Sequence, residues 1–377
     1  MVYSTDMKIL LAAGLYPPDI GGPATYAELV VTELPRRGIE VVVIPYGVVR
    51  KVPKIFRHLT YTGKLWRASR YADVIFALDP MSVGVPARIV SWLRRKPLVV
   101  RLGGDYVWEQ GVQRFGITDT LDVYTVGTHS RPFTVRLLAR IQTWVTRGAV
   151  AVILPSEYLK RIVLTWGIAP EHAHVVYSAV TPCHVTETRA DIRTDYGLVS
   201  PVLVSIARLT PWKGFRALVD VIARRVAQGD IATLVIGGDG PDRAALEHYV
   251  QERDVSEYVR FTGALTQAEV FRYIKAADIF VLNTAYEGLS HQLQEVMSIG
   301  TPIITTPIGG NPELITDGVE GLLVPVDDVA GFDAAIDRLL ADADLCDDMT
   351  VAARARLQHF TTETSLSTLV TLLTSVV

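Results

Sequence analysis

"VLVSIARLTPWKGFRALVDVIARRVAQGDIATLVIGGDGP", residues 202 to 241, sets an apolar run of strand length before a loop, a helix-length segment and a second apolar run ending in glycines. A strand, a crossover of helix length and a second strand make the unit from which parallel sheets are built. The same alternation continues outward in both directions. Strands are predicted at 8–12, 41–45, 73–77, 98–102 and 151–155 in the first half, and at 202–207, 233–238, 259–263, 278–283, 302–306 and 321–325 in the second. Thr266 with Glu269 forms a capping box that marks the start of one helix. Between the halves, "TPCHVTETRADIRTDYGLVSP" (181–201) shows no sustained periodicity and reads as a linker. The expectation is an α/β protein of two Rossmann-like domains, residues 1–185 and 186–361, facing across a cleft. A C-terminal helix at about 362–377 is expected to pack back on the first domain.

At 377 residues, 49% hydrophobic and 20% charged, the chain is long enough for two buried cores. Cys183 and Cys346 stand far apart, in no metal or redox spacing, which favours a reducing cytoplasm. "MKILLAAGLYPP" (7–18) is read as a first buried strand rather than a signal peptide. No apolar stretch reaches the roughly 18 to 20 residues of a membrane span, so membrane contact is expected to be peripheral. The net charge of −3 conceals two opposed halves. Residues 1–185 hold 22 Lys+Arg against 13 Asp+Glu, and the remainder 15 against 27.

In doubly wound sheets ligands sit beyond the carboxyl ends of the strands. Four strand-to-helix loops therefore carry the candidate chemistry. Gly21 and Gly22 precede Pro23 after the first strand, and a diphosphate would approach that bare backbone closely. Arg208 and Lys213 follow the strand at 202–207 as two cations at phosphate reach. "GGDGP" (237–241), with Gly238 and Gly240, is expected to leave room for a base or ribose. Gly288, Leu289, Ser290 and His291 open a helix whose free N–H groups and dipole attract an anion. Taken singly, a glycine pair is a turn and Arg-x4-Lys a solvated surface; the joint placement carries the reading. No G-x-G-x-x-G follows the first strand and no Walker A sequence occurs, which argues against a hydride enzyme and a P-loop ATPase.

"RLTPWKG" (208–214), "GGDGP" (237–241), "VRFTGAL" (259–265), Glu287 and Glu295 as E-x7-E, and "TPIITTPIGGNPELI" (301–315) resemble, in order and spacing, the C-terminal half of retaining GT-B glycosyltransferases of glycosyltransferase family 4. The N-terminal "GGPATY" loop agrees, and the resemblance spans nearly the whole chain, loosely over 45–180. It implies that the first domain binds the acceptor and the second a nucleotide-diphosphate sugar, with uridine and guanosine both open. It further implies that Arg208 and Lys213 neutralise the donor diphosphate, Glu287 faces the donor sugar and Glu295 holds the ribose hydroxyls. The base would lie near Gly238, Gly240 and Leu265. No cofactor is implied, and with no Asp-x-Asp pair and supporting cluster the Arg-Lys clamp is expected to replace a metal.

Asp105, in "RLGGDYVWEQG" (101–111), stands where many relatives carry a histidine. It resembles a subgroup associated with bacterial surface polysaccharides, and a catalytic Asp and a loop-capping Asp are equally good readings. His58 and His129 are given no role. Residues 50–70 hold seven Lys/Arg and no acid, with Phe56, Tyr61 and Trp66 between them. That stretch reads either as a solvated helix face or as a surface for an anionic membrane, and with the basic first half it favours a glycan or lipid-linked acceptor. Nucleic acid is disfavoured by the acidic second half. A sugar-nucleotide epimerase, a sugar phosphorylase and a non-catalytic sugar-nucleotide-binding subunit remain as rivals.

Overall fold

The computed structural model describes residues 7–19, 21–127, 131–180, 185–199 and 201–377; Cys183 and His129 lie outside them. The chain divides into two units, Met1–Ser178 with Thr362–Val377, and Ala179–Thr361. Each is built on a six-stranded parallel sheet.

The first unit contains β1 (Met7–Ala13), β2 (Ile39–Pro45), β3 (Val74–Ala77), β4 (Leu98–Arg101), β5 (Ala151–Leu154) and β6 (Ala173–Val175), in the spatial order β2-β1-β3-β4-β5-β6. β1, β3, β4 and β5 are almost wholly buried, as expected of parallel strands covered on both faces. One face carries Ile9, Phe76, Val99 and Ile153 against Tyr26 and Val30 of the helix Gly22–Glu33. The same cluster takes in Leu366, Leu369, Val370 and Leu373, so the C-terminal helix Thr362–Ser375 completes the core of the unit that starts the chain. Burying each of these side chains is worth roughly 1.5–3 kcal/mol, which is sufficient reason for the chain to return.

The second unit contains β7 (Val202–Ile206), β8 (Thr233–Gly237), β9 (Val259–Gly263), β10 (Ile279–Leu282), β11 (Ile303–Thr305) and β12 (Leu322–Leu323), ordered β12-β11-β10-β7-β8-β9. Numbered within the unit this is 3-2-1-4-5-6 read from the β9 edge, the doubly wound dinucleotide-fold order. The helix Phe215–Gln228 between β7 and β8 buries Phe215, Leu218, Val219 and Ile222 at helical spacing, and Gly229 ends it in the left-handed region.

Two readings of the sequence are corrected here. β6 was not foreseen, because three residues at a sheet edge are too few for a periodic signal. The 181–201 stretch contains the helix Arg189–Tyr196, where Thr188 and Asp191 cap each other's backbone and Gly197 terminates. Its single buried residue, Ile192, explains why no apolar period was visible.

In each sheet the connections reverse direction at one place, and the strand ends there form the crevice in which such folds hold ligands. In the second unit this place lies between β7 and β10, in the first between β1 and β3.

Candidate functional site

The loops that leave β7 and β10 are joined by their own backbone. Ala285 N donates to Trp212 O at 2.8 Å, and Thr284 Oγ1 donates to the same carbonyl at 3.2 Å. Asn283 Nδ2 donates to Gly214 O at 2.9 Å and to Asp327 Oδ1 at 2.7 Å, while its Oδ1 accepts from Asp327 N. Gly214 has φ +54, and a methyl there would overlap Asn283, so glycine is required by both conformation and space. This stitching places the buried Lys213 Nζ in an ion pair with Glu287 Oε1. The two residues are 74 positions apart in sequence.

The remaining parts of the β10 loop gather around that pair. Gly288, Leu289 and Ser290 are buried, and Ser290 Oγ caps Leu293 N–H at 3.3 Å, starting the helix His291–Ile299 directly behind the glutamate. Glu295 lies in the middle of that helix, half-buried, accepting from Gln267 Nε2 at 2.7 Å. Burial pushes its carboxyl above the usual range, and the Gln267 hydrogen bond opposes the shift. From the β11 side, Gly310 N donates to Glu287 O at 3.1 Å. Methyl groups on Gly309 and Gly310 would overlap the carbonyl oxygens of Glu287 and Gly288, so this glycine pair lets one loop lie directly on the backbone of the other.

Arg208 is exposed at the mouth of the β7 loop, without an ion pair among the described residues. The structure thus separates the two cations by environment: one solvated, one buried beside a carboxylate. Gly238 and Gly240 stand where the loops after β7 and β8 meet. Their open sides face the carbonyl oxygens of Ala207 and Leu209, which a methyl would overlap. Leu209 N donates to Asp239 O at 3.0 Å and Asp242 N to Leu209 O at 3.2 Å. The "GGDGP" glycines therefore seat one loop on another, while Gly238 and Gly240 both stay partly exposed. Leu265 rests against Gly237, half-buried.

In the first unit, Gly21 (φ +131) and Gly22 are exposed at the start of the helix Gly22–Glu33, which has no side-chain cap and no acid in its first turn. Asp105 is 3% exposed and its Oδ1 accepts from Val107 N, Trp108 N and Gln142 Nε2 at 3.0–3.1 Å. Of its two readings these bonds fit the cap, at the start of the helix Tyr106–Phe115. The basic stretch becomes the helix Lys54–Ala68, with Ile55, Phe56 and Leu59 at 85%, 55% and 72% exposure. Tyr61 and Trp66 turn inward: Tyr61 is buried with its hydroxyl on Ile44 O, and Arg94 covers the Trp66 ring at 3.6 Å.

Sequence reasoning missed Asn283, Thr284 and Gln267, which hold the site without touching an obvious ligand position. The signal available for the first two is polarity at the end of an otherwise apolar strand. Among the described residues no group of three or more His, Cys, Asp or Glu stands together as a metal site would require, and no helix is long and apolar enough to cross a membrane.

Comparison with known proteins bears on this arrangement. The family model described as Glycosyl transferases group 1 matches residues 190–356, and that described as Glycosyl transferase 4-like domain matches residues 21–179. A lipopolysaccharide core biosynthesis glycosyltransferase, LpsE, of Rhizobium meliloti is 33% identical over 39% of this chain and 41% of its own length. A GDP-mannose-dependent alpha-(1-6)-phosphatidylinositol monomannoside mannosyltransferase of Mycolicibacterium smegmatis is 28% identical over 92% of both chains. Several curated relatives, LpsE among them, are matched over only 40 to 55% of their own lengths. The crystal structure of Anabaena HepE in complex with UDP and glucose superposes with a TM-score of 0.77 at 20% identity, covering 98% of this chain and 100% of that one.

Proposed function

The chain belongs to the glycosyl transferases group 1 and has the GT-B fold, and on that premise we propose that it transfers a hexose or related sugar from a nucleotide diphosphate to a glycan or lipid-linked acceptor, with retention and without a metal. The observation that carries this reading is the buried Lys213–Glu287 pair at the switch point between β7 and β10. A charge-separating reaction is helped by fixed charges of both signs near the reacting atoms, and Lys213 and Glu287 supply them.

When the sugar–phosphate bond breaks, its electron pair goes to the diphosphate oxygen, where Lys213 and Arg208 neutralise the growing charge. Positive charge develops at the anomeric carbon, which the Glu287 carboxylate faces. The acceptor hydroxyl adds from the side the phosphate leaves, and its proton passes to the departing phosphate oxygen, so no separate base is required. Glu295 accepts hydrogen bonds from the ribose, while the amides behind Gly288 and Ser290 hold sugar and phosphate oxygens.

The acceptor belongs to the first unit, at the inner face of the cell membrane. Support comes from the helix Lys54–Ala68, which exposes Ile55, Phe56 and Leu59 among Lys51, Lys54 and His58. Apolar side chains projecting from a cationic surface suit an anionic bilayer.

The test is a thermal-shift series with UDP, GDP, ADP and their common sugar conjugates without added metal, followed by product analysis with retention assigned by NMR. A stabilising shift with one nucleotide and transfer to a glycoside are expected. Turnover of the sugar nucleotide without any acceptor product, or strict need for inorganic phosphate, would replace transfer by epimerisation or phosphorolysis.

A further inference from the structure

Of the four sheet edges formed by the described residues, three are short or charged. β6 has three residues, β12 has two, and β9 carries the exposed Arg260. A long bare edge is a template for a further strand, and short length or charge prevents that. The fourth edge, β2, is seven residues long, reads "IEVVVIP", and has Glu40 as its only charge. Among the described residues it ladders with β1 alone.

The two faces of β2 differ. Ile39, Val41 and Val43 turn to the core of the first unit, so Glu40, Val42 and Ile44 lie on the other face. A groove runs along that side. One cavity of about 520 Å³ is lined by Ile44, Pro45 and Val48 with Lys64 and Arg67, and a second of about 310 Å³ by Glu40 and Val42; the two share Ala68 and Tyr71. Val42, Val48 and Tyr71 are 43%, 50% and 78% exposed, so the unpaired backbone is bordered by apolar surface. The charges are divided along the groove. Glu40, with Oε2 2.7 Å from Lys8 Nζ, stands at one end, and Lys64 and Arg67, without an ion pair among the described residues, stand at the other.

An extended segment that suits this edge has apolar side chains for the groove and an acid where it meets Lys64 and Arg67. β2 itself has that pattern. Set antiparallel about an axis through Val42, two copies place Val42 against Val42 and the Glu40 of each opposite the Ile44 of the other, on the face that Lys64 and Arg67 line. Antiparallel pairing brings the acid end of one strand to the cationic end of the other, which parallel pairing does not. Pro45 falls opposite Ile39 at the last rung, and proline is tolerated at such a strand end. An antiparallel strand at the margin of a parallel sheet is common in doubly wound folds. With one such edge per chain among the described residues, the contact closes as a two-fold pair and does not propagate.

We propose that β2 pairs antiparallel with β2 of a second copy, joining the two first-unit sheets into one, with Glu40 of each copy reaching Lys64 and Arg67 of the other. The pairing uses no residue of the donor site and does not depend on the transfer reading.

Sedimentation equilibrium of the full chain, over about 1 to 100 μM, tests this in wild type and three variants. Wild type is expected to reach twice the chain mass within that range. Val42→Lys puts two ammonium groups at the axis and should leave a monomer with unchanged far-UV circular dichroism. Glu40→Lys in one chain, and Lys64→Glu with Arg67→Glu in another, set like charges together at both ends of their own pairs, and each should weaken self-association about tenfold or more. Mixed in equal amounts, these two variants meet opposite charges at both contacts and should form a heterodimer with about wild-type affinity. The mixture decides the matter even where Val42→Lys fails to fold. A wild type that stays monomeric throughout, a dimer that persists in folded Val42→Lys, or charge variants whose mixture stays monomeric would each overturn the proposal.

Discussion

Lys213 Nζ and Glu287 Oε1 form an ion pair whose side chains are each 11% exposed, across two loops held together at Trp212 and Ala285. Removing one member of a buried pair leaves the other charged and uncompensated, at a cost of about 3–5 kcal/mol, whereas replacing both by apolar groups is often neutral. Lys213→Met should therefore lower the melting temperature markedly, and the double variant Lys213→Met with Glu287→Leu should recover most of the loss. Equal melting of the single and double variants would mean that the pair is not coupled in solution. In turnover the double variant is expected to fail, because stability and charge placement are separate requirements.

Glu295 connects burial to pH. Its folded carboxyl holds a proton at pH values where the unfolded chain has released it, so the folded state binds more protons in that window. Stability is then expected to fall as pH rises from the ordinary glutamate range through the raised folded value. Glu295→Gln should flatten this slope in chemical denaturation followed from pH 4 upward, and an unaltered slope would place the titration elsewhere. Glu295→Ala, which removes the carboxylate proposed to hold the ribose, should weaken nucleotide binding about tenfold to a hundredfold by calorimetry. Lys213→Ala should act mainly on the rate of transfer.

Gly309 and Gly318 separate two reasons for glycine. Both have positive φ, +65 and +76, but Gly318 has open space where a methyl would go, while Gly309 faces the Glu287 carbonyl. Gly318→Ala should cost about 1 kcal/mol, the price of a left-handed alanine. Gly309→Ala should cost more and also weaken nucleotide binding, because it displaces the backbone of Glu287. Urea melts and nucleotide titrations of the two variants make the comparison, and equal effects on both readouts would refute the packing role.

Much of this architecture was legible in the sequence because parallel strands buried on both faces write themselves as uninterrupted apolar runs, as "VLVSI" and "IFVL" do. β6 and the helix Arg189–Tyr196 were hidden for the converse reason: one is three residues long, the other buries a single side chain. At the site, Lys213 and Glu287 were legible as loop residues after strands, but their contact was not. It depends on Asn283 and Thr284 binding the main chain of a loop about 70 residues away. The packing role of the "GGDGP" glycines was hidden as well, because composition shows where backbone is bare and not what rests on it; here the β7 loop does.

Asp105 offers a choice between cap and chemistry. Asparagine keeps the acceptor oxygen for Val107 N, Trp108 N and Gln142 Nε2, and alanine removes it. Asp105→Ala should lose about 0.5–2 kcal/mol as a lost cap, and Asp105→Asn should retain both stability and turnover. A hundredfold loss of turnover in Asp105→Asn at wild-type melting temperature would instead give the carboxylate a chemical role.

The helix Lys54–Ala68 supplies the final test, because its apolar and cationic parts contribute in different ways. Ile55, Phe56 and Leu59 are largely exposed, so changing all three to serine removes little buried packing, and the melting temperature should nearly hold. Each cation near an anionic surface contributes about 1 kcal/mol and is screened by salt, while the inserted apolar area is not. Co-sedimentation with vesicles of phosphatidylglycerol and phosphatidylcholine should show binding that weakens from 50 to 500 mM salt. Lys51→Gln with Lys54→Gln should bring wild-type binding at low salt down to its high-salt level, whereas the triple serine variant should lose binding even at low salt. Binding that is indifferent to both sets of changes would return this helix to an ordinary solvated face and take the lipid end of the acceptor elsewhere on the first unit.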